Sequence, residues 1–279
     1  MQKPTEIITS RQNPLLTLAA KLSDRKHREA QGLFRFDGKK LLVEALDAKL
    51  SLAAVLLRES AVPAVLSAVG ARTLPDGCRA VLLPDALFDR ISEEKSPDGV
   101  MVIAKHLDKI RKIVTIDKWR EVLQAENASR VLFLESIRDP GNLGTILRSA
   151  CAFGADLLVL SEDCADIYHP RVLRASMGAL FRERILITAK LADAVRAYGE
   201  RGRVFAAMLD ESSAKLGQIA FQKGDAVLIG NEGHGLSPEV IAAATHRVYI
   251  PMTPGVESLN AGVAASVLLW ELQRGDSHE

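Results

Sequence analysis

Residues 130–160 read RVLFLESIRDPGNLGTILRSACAFGADLLVL, and this stretch decides the fold. Arg130–Glu135 is an apolar run of strand length. Asp139-Pro140-Gly141-Asn142 has turn chemistry, because Pro presets φ while Gly and Asn tolerate backbone conformations that other residues avoid. Leu143, Ile146, Leu147, Ala150 and Cys151 then fall on one face of a helix. Asp156–Leu160 is a strand again. Two apolar strands joined by a helix predict a parallel pair buried on both faces.

The alternation continues in both directions. Downstream, Arg184–Thr188, Val204–Met208, Ala226–Ile229 and Arg247–Ile250 read as strands, and Pro170–Met177, Leu191–Tyr198, Pro238–Ala244 and Asn260–Gln273 as helices. Upstream, Asn13-Pro14 opens a helix with Leu15, Leu18, Ala19 and Leu22 at helical spacing, and Lys39–Lys49 is a second helix. Leu33–Phe36, Ala53–Leu57, Ala80–Leu83 and Gly99–Ala104 read as strands. Lys105–Lys118 is charged, with scattered apolar residues. The expected organisation is therefore a smaller α/β domain over 1–105, a linker over 106–124 and an α/β domain with a parallel sheet over 125–279.

The chain has 279 residues, enough for about two domains, and 48% apolar with 25% charged residues is globular rather than disordered composition. Its apolar stretches, Leu50–Leu57 and Ala61–Ala71 (the latter interrupted by Pro63), fall short of the ~20 residues a membrane helix needs. Met1–Thr5 opens no apolar leader. Cys78, Cys151 and Cys164 form no CxxC pair, which suits a reducing cytosol, and the six histidines show no HExxH or paired spacing, so no metal is expected. Residues 1–40 carry nine basic and four acidic side chains, about +5 in a chain of net charge +1. Such a patch suits a polyanion, because neutralised phosphates release counterions. Phe34 and Phe36, beside it, are candidates to stack on unpaired bases.

Three segments that follow strands carry the chemistry: 139–148, 230–235 and 251–260. In open α/β sheets ligands bind beyond the carboxyl ends of the strands. The second segment, Gly230-Asn231-Glu232-Gly233-His234-Gly235, is GxxGxG, neither the GxGxxG of nicotinamide enzymes nor a Walker loop. Its glycines allow close approach of backbone to a small ligand, or simply two adjacent tight turns. Taken singly, Asn142 also fits a helix cap, Arg148 a surface ion pair, and Ser258 and Asn260 caps of the last helix.

In order and spacing, DPGNLGTILRSACAFGA (139–155), LIGNEGHGLS (228–237) and IPMTPGVESLNAGVAASVLLWEL (250–272) resemble the three motifs of the SpoU-type (TrmH-like) RNA 2′-O-ribose methyltransferases of the SPOUT superfamily. HPRVLRASMGALFR (169–182) resembles that family too. ITSRQNPLL (8–16), RFDGKKLLVEAL (35–46) and SPDGVMVIAK (96–105) resemble the RNA-binding domain often fused ahead of it, akin to a ribosomal large-subunit protein. Departures are modest: Asp37 stands where the family often has Glu, and Ala261 where it often has Val.

The resemblance implies a deep C-terminal trefoil knot, a homodimer, an RNA substrate (ribosomal or transfer) and S-adenosylmethionine as methyl donor. It implies cofactor contacts at Gly230, Ile250 and Leu259, with Met252, Asn231 and Gly233 alongside, and a catalytic set of Asn142, Arg148, Glu232, Ser258 and Asn260. A guanidinium is a poor base, so Arg148 is expected to clamp the developing alkoxide and an RNA phosphate electrostatically. Asn142 is expected to hold Arg148 or the ribose, and Glu232 to close the pocket or place a partner's Arg. The final helix, with Val263, Val267, Leu268 and Trp270 apolar and Ala261, Gly262, Ala264 and Ala265 small, is expected at the dimer interface. The competing reading is a non-catalytic RNA-binding protein on the same fold. That reading expects loss of the five catalytic residues, and all five are present.

Overall fold

The computed structural model describes residues 4–94, 96–113, 118–210, 212–253, 255 and 258–276. The described chain forms two compact units, one within Met1–Leu107 plus Tyr168–Phe181 and the other within Asp108–Ile167 plus Arg182–Glu279.

The first unit runs β1 (Glu6–Ile7), α1 (Pro14–Lys21), α2 (Arg25–Gln31), β2 (Leu33–Asp37), α3 (Lys39–Asp47), β3 (Leu52–Arg58), α4 (Val62–Val69), β4 (Arg79–Leu83), α5 (Asp85–Ile91) and β5 (Val100–Lys105). Its sheet has the order β1-β4-β3-β5-β2, with β5 antiparallel to both neighbours. Local chemistry sets the helix ends. Asn13 Oδ1 accepts from Leu15 N at 2.9 Å with Pro14 following, and Gly32 ends α2 in the left-handed region (φ 62°).

Two sequence expectations about this unit's RNA contacts are corrected. Phe34 and Phe36 are 0% and 2% exposed, so neither can stack on a base. Their rings pack against Tyr168 and Phe181, with centroids 4.5 and 5.2 Å apart, because burying an aromatic ring outweighs leaving it at the surface. Two of the nine basic residues are also interior. Arg28 donates to the carbonyls of Leu22 and Ser23, and Arg35 to those of Ala19 and Ile91. The exposed cations of residues 4–40 include Arg11, Lys21, Lys26 and Lys40.

The next elements are β6 (Ile110–Lys112), α6 (Lys118–Glu126), β7 (Val131–Leu134), α7 (Pro140–Ala152), β8 (Leu157–Ser161), α8 (Pro170–Ser176, in the first unit), β9 (Ile185–Thr188) and α9 (Leu191–Gly199). β10 (Val204–Ala207), β11 (Ala214–Lys215), β12 (Ala226–Ile229), α10 (Pro238–Ala243), β13 (His246–Tyr249) and α11 (Ala261–Asp276) complete the chain. The second unit's sheet, β11-β13-β10-β12-β7-β8-β9-β6, is parallel throughout, as the apolar strands predicted.

The stretch expected as a linker contains structure. Ile110 pairs with Ile185 at the sheet edge, and Trp119 and Leu123 are each 1% exposed in the second unit's core. Burying an indole there outweighs the strand's short length. Residues 114–117 of that stretch lie outside the described residues. Among the described residues, no helix is long and apolar enough to cross a membrane.

α11 lies against α7. A Cβ on Gly262 would come within 3.2 Å of Thr145 Cβ, and Ser149 Oγ and Ser266 Oγ are 2.6 Å apart. The small residue Gly262 thus serves a contact within the chain. Val263 and Trp270 are 48% and 53% exposed.

Candidate active site

β7 and β12 are neighbours in register, Leu134 opposite Ile229, so the loops leaving their carboxyl ends start side by side. The third loop leaves β13 and ends at α11, which packs on α7, the helix that the first loop enters. The topology therefore delivers three segments far apart in sequence to one end of one sheet.

The first loop is anchored by Asp139, whose Oδ1 accepts from Asn142 N at 2.8 Å and caps α7, with Pro140 in the first turn. Since Asp139 takes the cap, the Asn142 amide is free for other partners. The second loop closes on itself. Asn231 N donates to Gly235 O and Gly235 N to Asn231 O, at 3.1 and 2.9 Å. A Cβ on Gly230 would sit 2.5 Å from the Gly235 carbonyl, so this close approach requires glycine. Asn231 Oδ1 accepts from Gly233 N and His234 N, while Nδ2 donates to Ser136 O at 2.9 Å. Ser237 donates through N and Oγ to the Glu135 carboxylate at 2.8 and 2.6 Å.

Side chains from all three loops then meet. Asn260 Nδ2 donates to Asn142 Oδ1 at 2.8 Å, and Asn142 Nδ2 donates to Glu232 Oε1. Asn260 Oδ1 meanwhile accepts from Gly262 N and Val263 N at the start of α11, so this residue both caps its helix and joins the cluster. Asn142 makes these two bonds instead of holding Arg148. Arg148 is exposed on α7, and among the described residues nothing bonds to its guanidinium, which leaves all its donors available. Ser258 is exposed and Leu259 half-buried just before α11.

The expected cofactor residues lie along the same end of the sheet. Gly230 follows β12, Ile250 follows β13, and β10 runs between these strands. Gly230, Ile250 and Met252 are half-buried and Gly233 is exposed; Asn231, as above, commits its side chain to the loop itself. Leu209, just beyond β10, is 71% exposed and escaped the sequence reading. Its signal was available: a large apolar residue directly after an apolar strand. An adenosyl group needs main-chain partners for its base edge and apolar contact for its ring; the backbone at Gly230 and the apolar Ile250, Met252 and Leu209 are of the chemistry that fits it. Ser136 and Asp163 were also missed. Burial raises the Asp163 carboxyl, yet hydrogen bonds from Ser136, Ser161 and Arg138 outweigh it and hold the group below the usual carboxylate range.

Comparison with known proteins agrees with this architecture: a substrate-binding module precedes a methylase module. The SpoU rRNA Methylase family matches residues 129–270, and the MRM3-like substrate binding domain matches residues 13–102. The chain belongs to the SpoU rRNA methylase family. It is 32% identical to an uncharacterized tRNA/rRNA methyltransferase of Synechocystis, over 96% of this chain and 93% of that one. It is 27% identical to the 23S rRNA (guanosine(2553)-2′-O)-methyltransferase RlmP of Bacillus subtilis, over 91% and 93%. Among solved structures, the AdoMet-bound rRNA methyltransferase of Sinorhizobium meliloti matches with TM-score 0.78 and 28% identity, covering 96% of this chain and 97% of that one.

Proposed function

We infer that this protein transfers the methyl group of S-adenosylmethionine to a ribose 2′-hydroxyl of ribosomal or transfer RNA. The observation that carries this reading is the hydrogen-bonded chain Asn260–Asn142–Glu232, which joins the three family motifs at the start of α7, the helix that also carries the exposed Arg148. The cofactor supplies an electrophilic methyl on its sulfonium; alignment and water exclusion fall to the protein. Gly230, Ile250, Leu259 and Met252 would hold it, and the exposed Leu209 would offer apolar contact. Arg148 clamps the developing 2′-alkoxide and the adjacent phosphate through its planar fork, while the proton leaves to phosphate or water. Glu232 and Asn260 fix Asn142, and Ser258 offers a donor to the ribose or phosphate.

Arg11, Lys21, Lys26 and Lys40 give the N-terminal unit its RNA affinity. The exposed Val263 and Trp270 with the half-buried Val267 between them, and Phe153 edge-on to Trp270 at 5.8 Å, form the homodimer face. The deep C-terminal trefoil knot that the family resemblance implies belongs to the same reading. Cys78, Cys151 and Cys164 form no disulfide, which supports a reducing compartment, and we assign the protein to the cytosol.

Turnover of Arg148 variants on substrate RNA tests the assignment. Arg148→Ala is expected to lower kcat by about a hundredfold or more. Arg148→Lys should recover little of it, because an ammonium lacks the bidentate fork. Full activity in Arg148→Lys contradicts the clamp.

A further inference from the structure

We propose that Asp163, outside the three motifs, is a positioning residue for methyl transfer, acting through Ser136 on the loop that carries Asn142. This deepens the reading above and rests on it.

Ser136 is where the chain leaves β7 for the first loop. It is a non-glycine residue at φ 55°, a conformation that costs free energy unless its surroundings enforce it. Three bonds in different directions do so. Ser136 N donates to Ser161 Oγ at 2.8 Å, Ser136 Oγ donates to Asp163 Oδ2 at 2.5 Å, and Ser136 O accepts from Asn231 of the glycine loop at 2.9 Å. Asp163 gathers the rest. Its Oδ1 accepts from Ser161 Oγ at 2.6 Å and its Oδ2 from Arg138 Nη2 at 3.0 Å. One carboxylate thus fixes residues 136 and 138, just before the Asp139 cap, while the carbonyl it immobilises holds the residue preceding Glu232. Loss of the carboxylate frees both sides of the Asn142–Glu232 contact without touching either residue. The node borders a polar cleft of about 420 Å³ lined by Glu135, Ser161, Lys190 and Ser237, so water can replace a truncated side chain and the fold is expected to survive.

The test compares Asp163→Ala, Ser136→Gly and the double variant with the wild type, well below their melting temperatures. Glycine adopts the left-handed backbone without strain and removes the hydroxymethyl group that bonds Asp163. Each single variant should lose about tenfold or more in kcat, as misplacement remote from the chemistry does, with the dissociation constant of S-adenosylmethionine within about threefold of wild type. The double variant should be no slower than Asp163→Ala, because both remove the same link. Amide exchange over residues 137–143 should quicken in all three. Wild-type kcat in Asp163→Ala, additive losses, or a loss that merely tracks the unfolded fraction overturns the proposal. Should the wild type transfer no methyl group, the functional reading fails instead, and the exchange pattern alone decides the node: unchanged exchange overturns it.

Discussion

The amide of Asn142 accepts from Asn260 and donates to Glu232, so one side chain spends both its polar atoms on joining loops that lie 90 and 118 residues away. Elsewhere in the second unit the informative residue is Glu183, only 5% exposed. Burial pushes its carboxyl up to about 7; the Cys151 thiol, Arg184 and Lys109 pull it down, while Asp156 pushes it up. The folded protein therefore keeps a proton that the unfolded chain releases near 4.5. Stability is fully present below pH 4.5 and falls as pH rises toward 7, by an amount on the order of 3 kcal/mol at about 1.4 kcal/mol per pKa unit. Glu183→Gln should flatten that slope in melting curves taken from pH 4.5 to 8; a slope equal to wild type contradicts the assignment. At this scale the sequence was legible where chemistry and spacing coincide, as at Asn142, Glu232 and Asn260. It was not legible for Phe34, Phe36, Arg28 and Arg35. Residue type does not say which way a strand or helix face turns, and in the fold these four turn inward.

The helices α7 and α11 show how far periodicity reaches. Leu143, Ile146, Leu147 and Ala150 are buried, as their spacing required, while Cys151 at the end of that face is half-buried; Ala265, Leu268 and Leu269 are buried too. What spacing could not tell is which partner takes the small face of α11: Gly262 meets Thr145 of the same chain. The remaining apolar stripe is the face we propose for a second copy. Trp270→Glu is expected to shift sedimentation from dimer to monomer at micromolar concentration while the far-ultraviolet dichroism stays unchanged; a wild type already monomeric there contradicts the proposed interface. β6, at three residues, and α6, whose apolar positions Trp119, Val122 and Leu123 are diluted by charge, gave too little pattern to separate from a linker. The pairing of β6 with β9 and the packing of α6 on α9 depend on partners that only the fold brings near.

Across the whole molecule, the parallel sheet followed from alternating strand and helix patterns, because a doubly covered strand must be apolar throughout. The membership of Tyr168–Phe181 in the first unit did not follow. Nothing local in PRVLRAS separates a helix serving one unit from a helix serving the other. The central claim, that three loops form one site delivering a methyl group to a ribose 2′-oxygen, is tested most directly by where the label goes. RNA incubated with the protein and methyl-tritiated S-adenosylmethionine should, after alkaline hydrolysis, carry its label in alkali-resistant dinucleotides, since a methylated 2′-oxygen cannot attack the neighbouring phosphodiester. Label recovered in mononucleotides, or no label in RNA from any source, contradicts the account.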